Sequence, residues 1–151
     1  MMTNLQPPQG LTRERLSAVL LEQHEDFLRK DLGLERELLQ ELAPIIQAPQ
    51  ITVITGLRRV GKSTLLAQLA HKYLKDTWHF VNFDDERLLQ FQVKDFDLLH
   101  EVLITLFGAK NTFLFDEIQN VLGWERFVRR LHDQGFKVVV TGSNASLLSQ
   151  E

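Results

Sequence analysis

The chain has 151 residues, of which 44% are hydrophobic and 25% charged, as in an ordinary globular domain with a proper core. Its net charge of −3 argues against domain-wide attraction to nucleic acid, and the absence of cysteine excludes disulfides and thiolate zinc sites. Because the sequence lacks both a long apolar stretch and a basic-then-apolar N-terminus, we expect a cytoplasmic protein without a membrane span or signal peptide.

The first 50 residues predict a polar tail followed by two helices. Residues 1–11 are polar and contain two prolines, which is typical of a mobile tail. Thr12 can cap a helix over 13–30, where apolar residues recur at helical spacing until Gly33. A second helix, which Pro44 should disturb, is marked by apolar residues at helical spacing: Leu34, Leu38, Leu42 and Ile45.

From residue 51 onward the pattern alternates between strands and helices. Residues 12–48 are therefore expected to form an N-terminal helical segment, and 49–151 an α/β core. Successive β-α units require right-handed crossovers and a parallel sheet, with the functional site at the carboxyl ends of the strands. The predicted strands are 51–55, 78–83, 112–115 and 138–141, and the predicted helices are 62–74, 98–107 and 124–131.

A phosphate-binding loop follows the first predicted strand. The sequence Gly56-Leu57-Arg58-Arg59-Val60-Gly61-Lys62-Ser63 is the P-loop pattern G-x-x-x-x-G-K-[ST]. Its glycines allow the backbone N–H groups to point at a phosphate, Lys62 supplies positive charge, and the Ser63 hydroxyl is a hard ligand for Mg²⁺. The predicted phosphate-binding residues are Gly56, Leu57, Arg58, Arg59, Val60, Gly61, Lys62, Ser63 and Thr64.

Some of these residues have a second interpretation. Arg58 and Arg59 could meet phosphate oxygens, or they could point outward and pair with surface carboxylates. Thr64 could contact the α-phosphate, or it could be a routine residue of the first helical turn. The sequence leaves both choices open.

The third predicted strand ends in Asp116-Glu117, 53 residues after Ser63. At the end of a buried strand, an aspartate can hold Mg²⁺ and an adjacent glutamate can deprotonate a water that attacks the γ-phosphate. We therefore predict Asp116 as a metal ligand together with Ser63, and Glu117 and Lys62 as catalytic residues. The alternative is a solvated acidic turn.

Two further polar segments follow predicted strands. Thr141-Gly142-Ser143-Asn144 follows the fourth strand, where a polar side chain could sense the γ-phosphate; this role falls to Asn144 or Ser143, with Asn144 favoured. The alternative is that these residues cap the next helix. The segment 84–86 follows the second strand and either adds acidity near the metal or caps a turn.

With these motifs in place, the chain resembles the AAA-type ATPases of bacteria and archaea that join an N-terminal P-loop domain to a C-terminal domain of unknown function. The resemblance is carried by the P-loop with flanking Thr55 and Thr64, and by the segments 82–85, 115–120, 123–125 and 140–145. It implies a three-layer αβα fold with strand order 5-1-4-3-2, and binding of ATP with Mg²⁺.

The same resemblance implies that the chain is an N-terminal fragment or a truncated gene product. Family members continue with strand five, an arginine-containing loop and the C-terminal domain. Without strand five, strand one would be an edge strand, which predicts self-association or coverage by the N-terminal helices. We therefore expect a homo-oligomer or a further domain as partner.

The leading hypothesis is an ATPase that uses hydrolysis to drive a conformational change. The alternative is a nucleotide-binding switch or scaffold with little hydrolysis. Glu117 favours the ATPase, and the absence of an arginine finger favours the switch. The Asp-Glu pair argues against a nucleoside kinase, and the balanced charge after residue 50 gives no support to a DNA-bound motor.

Overall fold

The structure, a computed structural model, describes residues 10–34, 37–56 and 61–143. In these ranges the chain forms four strands and five α-helices, and the last turn of the third helix continues as π-helix to residue 74. The strands are β1 (Thr52–Gly56), β2 (Trp78–Asn82), β3 (Thr112–Asp116) and β4 (Lys137–Ser143). The helices are α1 (Arg13–Leu28), α2 (Glu37–Gln47), α3 (Lys62–Leu69), α4 (Phe96–Phe107) and α5 (Trp124–Asp133).

The four described strands form one parallel sheet in the order β1-β4-β3-β2. This confirms the predicted α/β class and the order of strands one to four. Because the strands are parallel, their carboxyl ends lie at the same end of the sheet. There, Gly56 is opposite Ser143, and Asn82 is opposite Asp116. Those residues predicted to act on a nucleotide that the structure describes lie at this end of the sheet.

Side chains of β3 alternate between two hydrophobic cores. Phe113 and Phe115 belong to one core and Leu114 to the other, and all three are fully buried. A strand that is buried on both faces needs an apolar residue at every position, which explains the run Phe113-Leu114-Phe115. Helices α4 and α5 pack on the first face and α2 and α3 on the second, so the fold has the predicted three layers.

Helix α1 passes over the exposed edge of β2 and joins the two cores. Leu16 and Leu20 belong to the first core, whereas Phe27 belongs to the second. Between them, the Gln23 amide accepts a hydrogen bond from the Asn82 N–H (2.9 Å) and donates one to the Asn82 carbonyl (3.0 Å). An edge strand leaves such backbone groups unpaired, and here a side-chain amide satisfies them.

The helices agree with the sequence in type and differ in detail. Thr12 caps α1 by accepting a hydrogen bond from the N–H of Arg15, as predicted. Pro44, expected to disturb the second helix, lies inside α2 on its exposed face, and α2 continues to Gln47. No helix in the described part of the chain is long and apolar enough to cross a membrane.

The two edge strands of the sheet are β2 and, on the opposite side, β1. Within the described ranges β1 pairs only with β4, and Val53 at its centre is 49% exposed. Helix α1 lies at the other edge, against β2, so it does not cover this strand. The prediction that strand one is an edge is therefore confirmed for the described residues.

Candidate functional site

The P-loop joins the end of β1 to the start of α3. Gly61 directly precedes α3 and has φ of 81°, a left-handed conformation that glycine adopts without strain. The helix begins at Lys62, so its free N–H groups and positive dipole end face the carboxyl edge of the sheet. The predicted site residues Leu57, Arg58, Arg59 and Val60 lie outside the described residues.

The Lys62 side chain is buried and bonded to three groups at the carboxyl edge. Its ammonium donates to the carbonyls of Gly56 (3.1 Å) and Gly142 (2.8 Å), at the ends of β1 and β4. It also forms an ion pair with Glu117, 3.1 Å from Oε1. Lys62, predicted to supply positive charge, and Glu117, predicted to be the general base, therefore form an ion pair with each other in this structure.

Ser63 and Asp116 meet next to this pair. The Ser63 hydroxyl donates a hydrogen bond to Oδ2 of Asp116, and the hydroxyl of Thr141 donates to Oδ1 at 2.5 Å. Asp116 is 2% exposed, which does not fit the alternative of a solvated acidic turn. Burial raises the pKa of Asp116, and Glu117 adds to the rise, while the two hydroxyl hydrogen bonds and Lys62 oppose it.

Glu117 leaves β3 in a strained conformation. Its φ of 53° and ψ of 49° are left-handed, which is uncommon for a residue with a side chain and typical of functional sites. The backbone N–H donates to the Thr141 hydroxyl (3.0 Å), and Oε2 accepts a hydrogen bond from Nε2 of Gln119 (2.6 Å). This conformation turns the carboxylate back towards the P-loop lysine.

These groups line a cavity of about 390 Å³ at the carboxyl edge of the sheet. An adjoining cavity of about 160 Å³ shares Ser63 and Asp116 with it. Polar and charged side chains and the P-loop backbone form the wall of the larger cavity, which is lined by Lys30, Gly61, Lys62, Ser63, Thr64, Asn82, Asp84, Asp116 and Glu117.

The structure thus brings together most of the predicted site residues. Thr64 lines the cavity, whereas Gly56 contributes its carbonyl as an acceptor for Lys62. Of the two sensor candidates, Ser143 has its hydroxyl 3.5 Å from Oε2 of Glu117, and Asn144 lies outside the described residues.

In the acidic segment 84–86 after β2, each of the two interpretations fits a different residue. Asp85 accepts a hydrogen bond from the Arg87 N–H (3.0 Å) and so caps a short 3₁₀ turn. The Arg87 guanidinium lowers the pKa of Asp85 to about 2. Asp84, in contrast, lines the larger cavity.

Sequence reasoning missed several residues of the site. Thr141 was seen only as part of a motif, yet its buried hydroxyl joins Asp116 to the backbone of Glu117. Gln119 lies in the motif segment 115–120, which assigns it no role, and no sequence pattern places Lys30 near the P-loop. A polar residue in the middle of an apolar strand, such as Thr141 after three valines, was an available signal.

The donor set fits a magnesium ion. Mg²⁺ prefers hard oxygen ligands and is held in nucleotide sites by one or two protein oxygens together with phosphate oxygens and water. Ser63 Oγ and Asp116 Oδ2 are such oxygens, and they are already in contact. The described residues contain no cluster of three or more histidine, aspartate or glutamate side chains that could hold a metal alone, so the ion would need the phosphates.

Comparison with known proteins agrees with this geometry. The sequence model of a family described as "AAA domain" matches residues 48–151. An uncharacterized protein of Methanocaldococcus jannaschii is 44% identical over 126 residues, covering 83% of this chain and 27% of that protein. An uncharacterized protein of Haemophilus influenzae is 37% identical over 121 residues, covering 75% of this chain and 30% of that protein. The chain thus spans less than a third of the length of either relative.

Proposed function

Because this chain belongs to the AAA domain family, whose members are nucleotide-binding ATPase-type proteins, we propose that it binds ATP with Mg²⁺ and hydrolyses it to drive a conformational change. One observation carries the proposal: Lys62 and Ser63 of the P-loop contact Glu117 and Asp116 of β3 within one cavity. A phosphate-binding loop beside a buried carboxylate pair is the arrangement that phosphoryl transfer to water requires.

Each side chain has a separate task in this proposal. Gly61 and the start of α3 present N–H groups to the β-phosphate, and the Lys62 ammonium compensates the charge of the β- and γ-phosphates. Ser63 and Asp116 would hold Mg²⁺, which would neutralise charge on the phosphate oxygens. Asn144 or Ser143 senses the γ-phosphate.

Glu117 acts as the general base. It accepts a proton from a water whose oxygen forms a bond to the γ-phosphorus, while the bond from that phosphorus to the bridging oxygen of ADP breaks. The carboxylate must first be released from Lys62, since a base that is ion-paired with an ammonium is a weak proton acceptor. A nucleotide phosphate that attracts Lys62 would supply this release.

A second candidate function is a nucleotide-binding switch that hydrolyses slowly. The observation that favours it is the double engagement of Glu117, by Lys62 at 3.1 Å and by Gln119 at 2.6 Å. If these contacts persist with nucleotide bound, the site would bind ATP and leave it intact. Hydrolysis and binding must therefore be measured separately.

The partners and the arrangement of domains are also proposals. We propose that residues 49–151 are the nucleotide-binding core and that 12–48 is a helical segment packed on it, after a tail of 1–11. A second copy or another segment of a longer protein would cover β1, whose Val53 is half exposed. Such a partner could also supply an arginine finger, which is worth about 10³- to 10⁵-fold in rate.

The proposal is tested by Glu117→Gln. The variant should bind MgATP as the wild type does but hydrolyse it about 10²- to 10⁴-fold more slowly, because the amide cannot accept the proton. Calorimetry measures binding, and phosphate release measures turnover. Lys62→Ala should lose binding in the same titration.

Two matched variants complete the experiment. Glu41→Gln removes the same charge from an exposed position on α2, and Lys94→Ala removes an exposed lysine from a short 3₁₀ turn. Both should bind and hydrolyse normally. Full turnover in Glu117→Gln would contradict the assignment of the base, and a wild-type chain that binds MgATP without turnover would support the switch.

A further inference from the structure

We propose that Lys30, at the end of α1, is a phosphate-binding residue of the nucleotide site. The inference rests on the proposed function and adds to it a cation from the N-terminal helical segment. Lys30 precedes the residues 48–151 that match the AAA domain, so the family match gives it no role. The P-loop pattern gives it none either.

The first argument is position. Lys30 lines the larger cavity together with Lys62 and Ser63, and it also lines the adjoining cavity with Ser63 and Asp116. The two cavities meet at the Ser63–Asp116 contact, where the proposed Mg²⁺ and the terminal phosphates belong. The lysine therefore faces the polyphosphate part of the site.

The second argument is that Lys30 has no competing ion-pair partner among the described residues. Its side chain is exposed and forms no ion pair with any described residue. The adjacent Arg29 is different, because its guanidinium lies 3.4 Å from Asp26 and 3.8 Å from Glu25. Lys62 is likewise engaged by Glu117. Lys30 can thus meet an incoming anion without first breaking an ion pair in the described part of the chain.

The third argument is that the backbone around Lys30 is fixed from both sides. Before it, Phe27 stacks on Phe80 with ring centroids 4.0 Å apart, and the Gln23 amide is bonded to Asn82. After it, Nε2 of Gln68 on α3 donates to the carbonyl of Leu32 at 2.7 Å. A lysine on a fixed backbone loses less entropy on binding than one on a free tail.

The fourth argument is charge. The described wall of the larger cavity carries three carboxylates, Asp84, Asp116 and Glu117, against two ammonium groups. A nucleoside triphosphate adds several negative charges to this wall, and Mg²⁺ neutralises two of them. A free ammonium group at the mouth reduces the remaining repulsion and can form a charge-assisted hydrogen bond with a phosphate oxygen.

The experiment compares Lys30→Gln with Arg29→Gln in the full chain. Both substitutions remove one positive charge from the end of α1, but Arg29 does not line either cavity. Calorimetric titration with MgATP should show roughly fivefold to tenfold weaker binding for Lys30→Gln and less than a twofold change for Arg29→Gln. Lys30→Arg should restore most of the affinity.

Two results would overturn the proposal. One is wild-type affinity in Lys30→Gln, and the other is an equal loss in Arg29→Gln, which would indicate a general charge effect. Thermal melts of each variant show whether the fold is intact, and an exposed lysine without partners should leave the melting temperature unchanged. A wild-type chain that binds no MgATP would contradict the proposed function itself, whereas normal wild-type binding with an unaffected Lys30→Gln would contradict only the role of Lys30.

Discussion

The two ends of the parallel sheet both bury polar side chains, and they treat them differently. At the carboxyl end, Lys62, Asp116, Glu117 and Thr141 are at most 8% exposed, and each is bonded to at least one of the others. In the amino-terminal half of β2, His79 is 1% exposed, and neither ring nitrogen has a hydrogen-bond partner in the described part of the chain.

Around His79, in the amino-terminal half of β2, the buried side chains form an aromatic core. The His79 ring packs 5.3 Å from Phe113, and His24 stacks on Phe107 with centroids 4.1 Å apart. Burial lowers the pKa of His79 to about 4, and it also lowers the pKa of His24 and His100. These imidazoles are neutral at pH 7 and fill space.

The difference teaches that burial of a polar group does not identify a functional site. Every buried polar group costs free energy unless it is hydrogen-bonded. At the carboxyl end the cost is offset by a hydrogen-bond network whose members are also the groups that we propose to bind phosphate and metal. At His79 no hydrogen bond in the described part of the chain offsets this cost, and the neutral ring contributes packing alone.

The largest expected effect on stability is at the carboxyl end. Thr141→Val keeps the shape of the side chain but removes the hydroxyl that donates to Asp116 and accepts from the Glu117 N–H. Two buried groups lose a partner, so the free energy of unfolding should fall by about 3 kcal/mol. Denaturant unfolding measures this change.

Thr112→Val is the matched control. Thr112 is 5% exposed at the amino end of β3, and within the described residues its hydroxyl makes no hydrogen bond. The same substitution there should change stability by less than about 0.5 kcal/mol. Equal losses in the two variants would mean that the network at the carboxyl end adds nothing beyond the packing of a strand residue.

The fold could be predicted from the sequence to a greater extent than the site. Periodicity locates the strands, and the run Phe113-Leu114-Phe115 identifies a strand that is buried on both faces. The P-loop and Asp116-Glu117 indicate the candidate site because each is a short motif that directly follows a predicted strand. Contacts between distant segments have no such pattern: Gln23 lies 59 residues from Asn82, and Lys30 reaches the P-loop only through the packing of α1.

The second prediction concerns the pH dependence that His79 contributes. Its pKa is about 4 in the folded chain and near 6.5 when unfolded, so the unfolded state binds more protons between these values. This contribution to stability is complete above pH 6.5, decreases as the pH falls, and is fully lost near pH 4. At pH 5 the loss should be about 2 kcal/mol relative to pH 8.

His79→Leu removes this contribution. Between pH 8 and pH 5, the free energy of unfolding of the variant should fall by about 2 kcal/mol less than that of the wild type. Denaturant unfolding at each pH measures this difference. His24 and His100 titrate in the same direction and keep their part of the pH dependence in both proteins. If the slope of His79→Leu matched that of the wild type, the imidazole would not be held neutral by burial.

The smallest expected effect is at Gln119. This residue sharpens the comparison of the two ends of the sheet because it tests whether a buried polar side chain orients Glu117 or is simply buried. A carboxylate only accepts hydrogen bonds, so the group 2.6 Å from Glu117 must be the NH₂ end of the Gln119 amide. The carbonyl end is buried and has no partner in the described part of the chain, so the hydrogen bond to Glu117 is what holds this amide. We therefore expect Gln119 to orient Glu117, the proposed base, without contacting the nucleotide.

Gln119→Leu should accordingly lower the turnover number about tenfold, or roughly 1.4 kcal/mol in barrier, and leave the affinity for MgATP unchanged. Asn120→Ala in the same turn is the control, since the Asn120 side chain bonds to the Phe83 carbonyl instead of to Glu117. If both variants lost turnover equally, the turn as a whole would be responsible. If Gln119→Leu lost affinity for MgATP and kept its turnover number, Gln119 would be a nucleotide-binding residue and would not orient Glu117. The two ends of the sheet would then differ only in ligand binding.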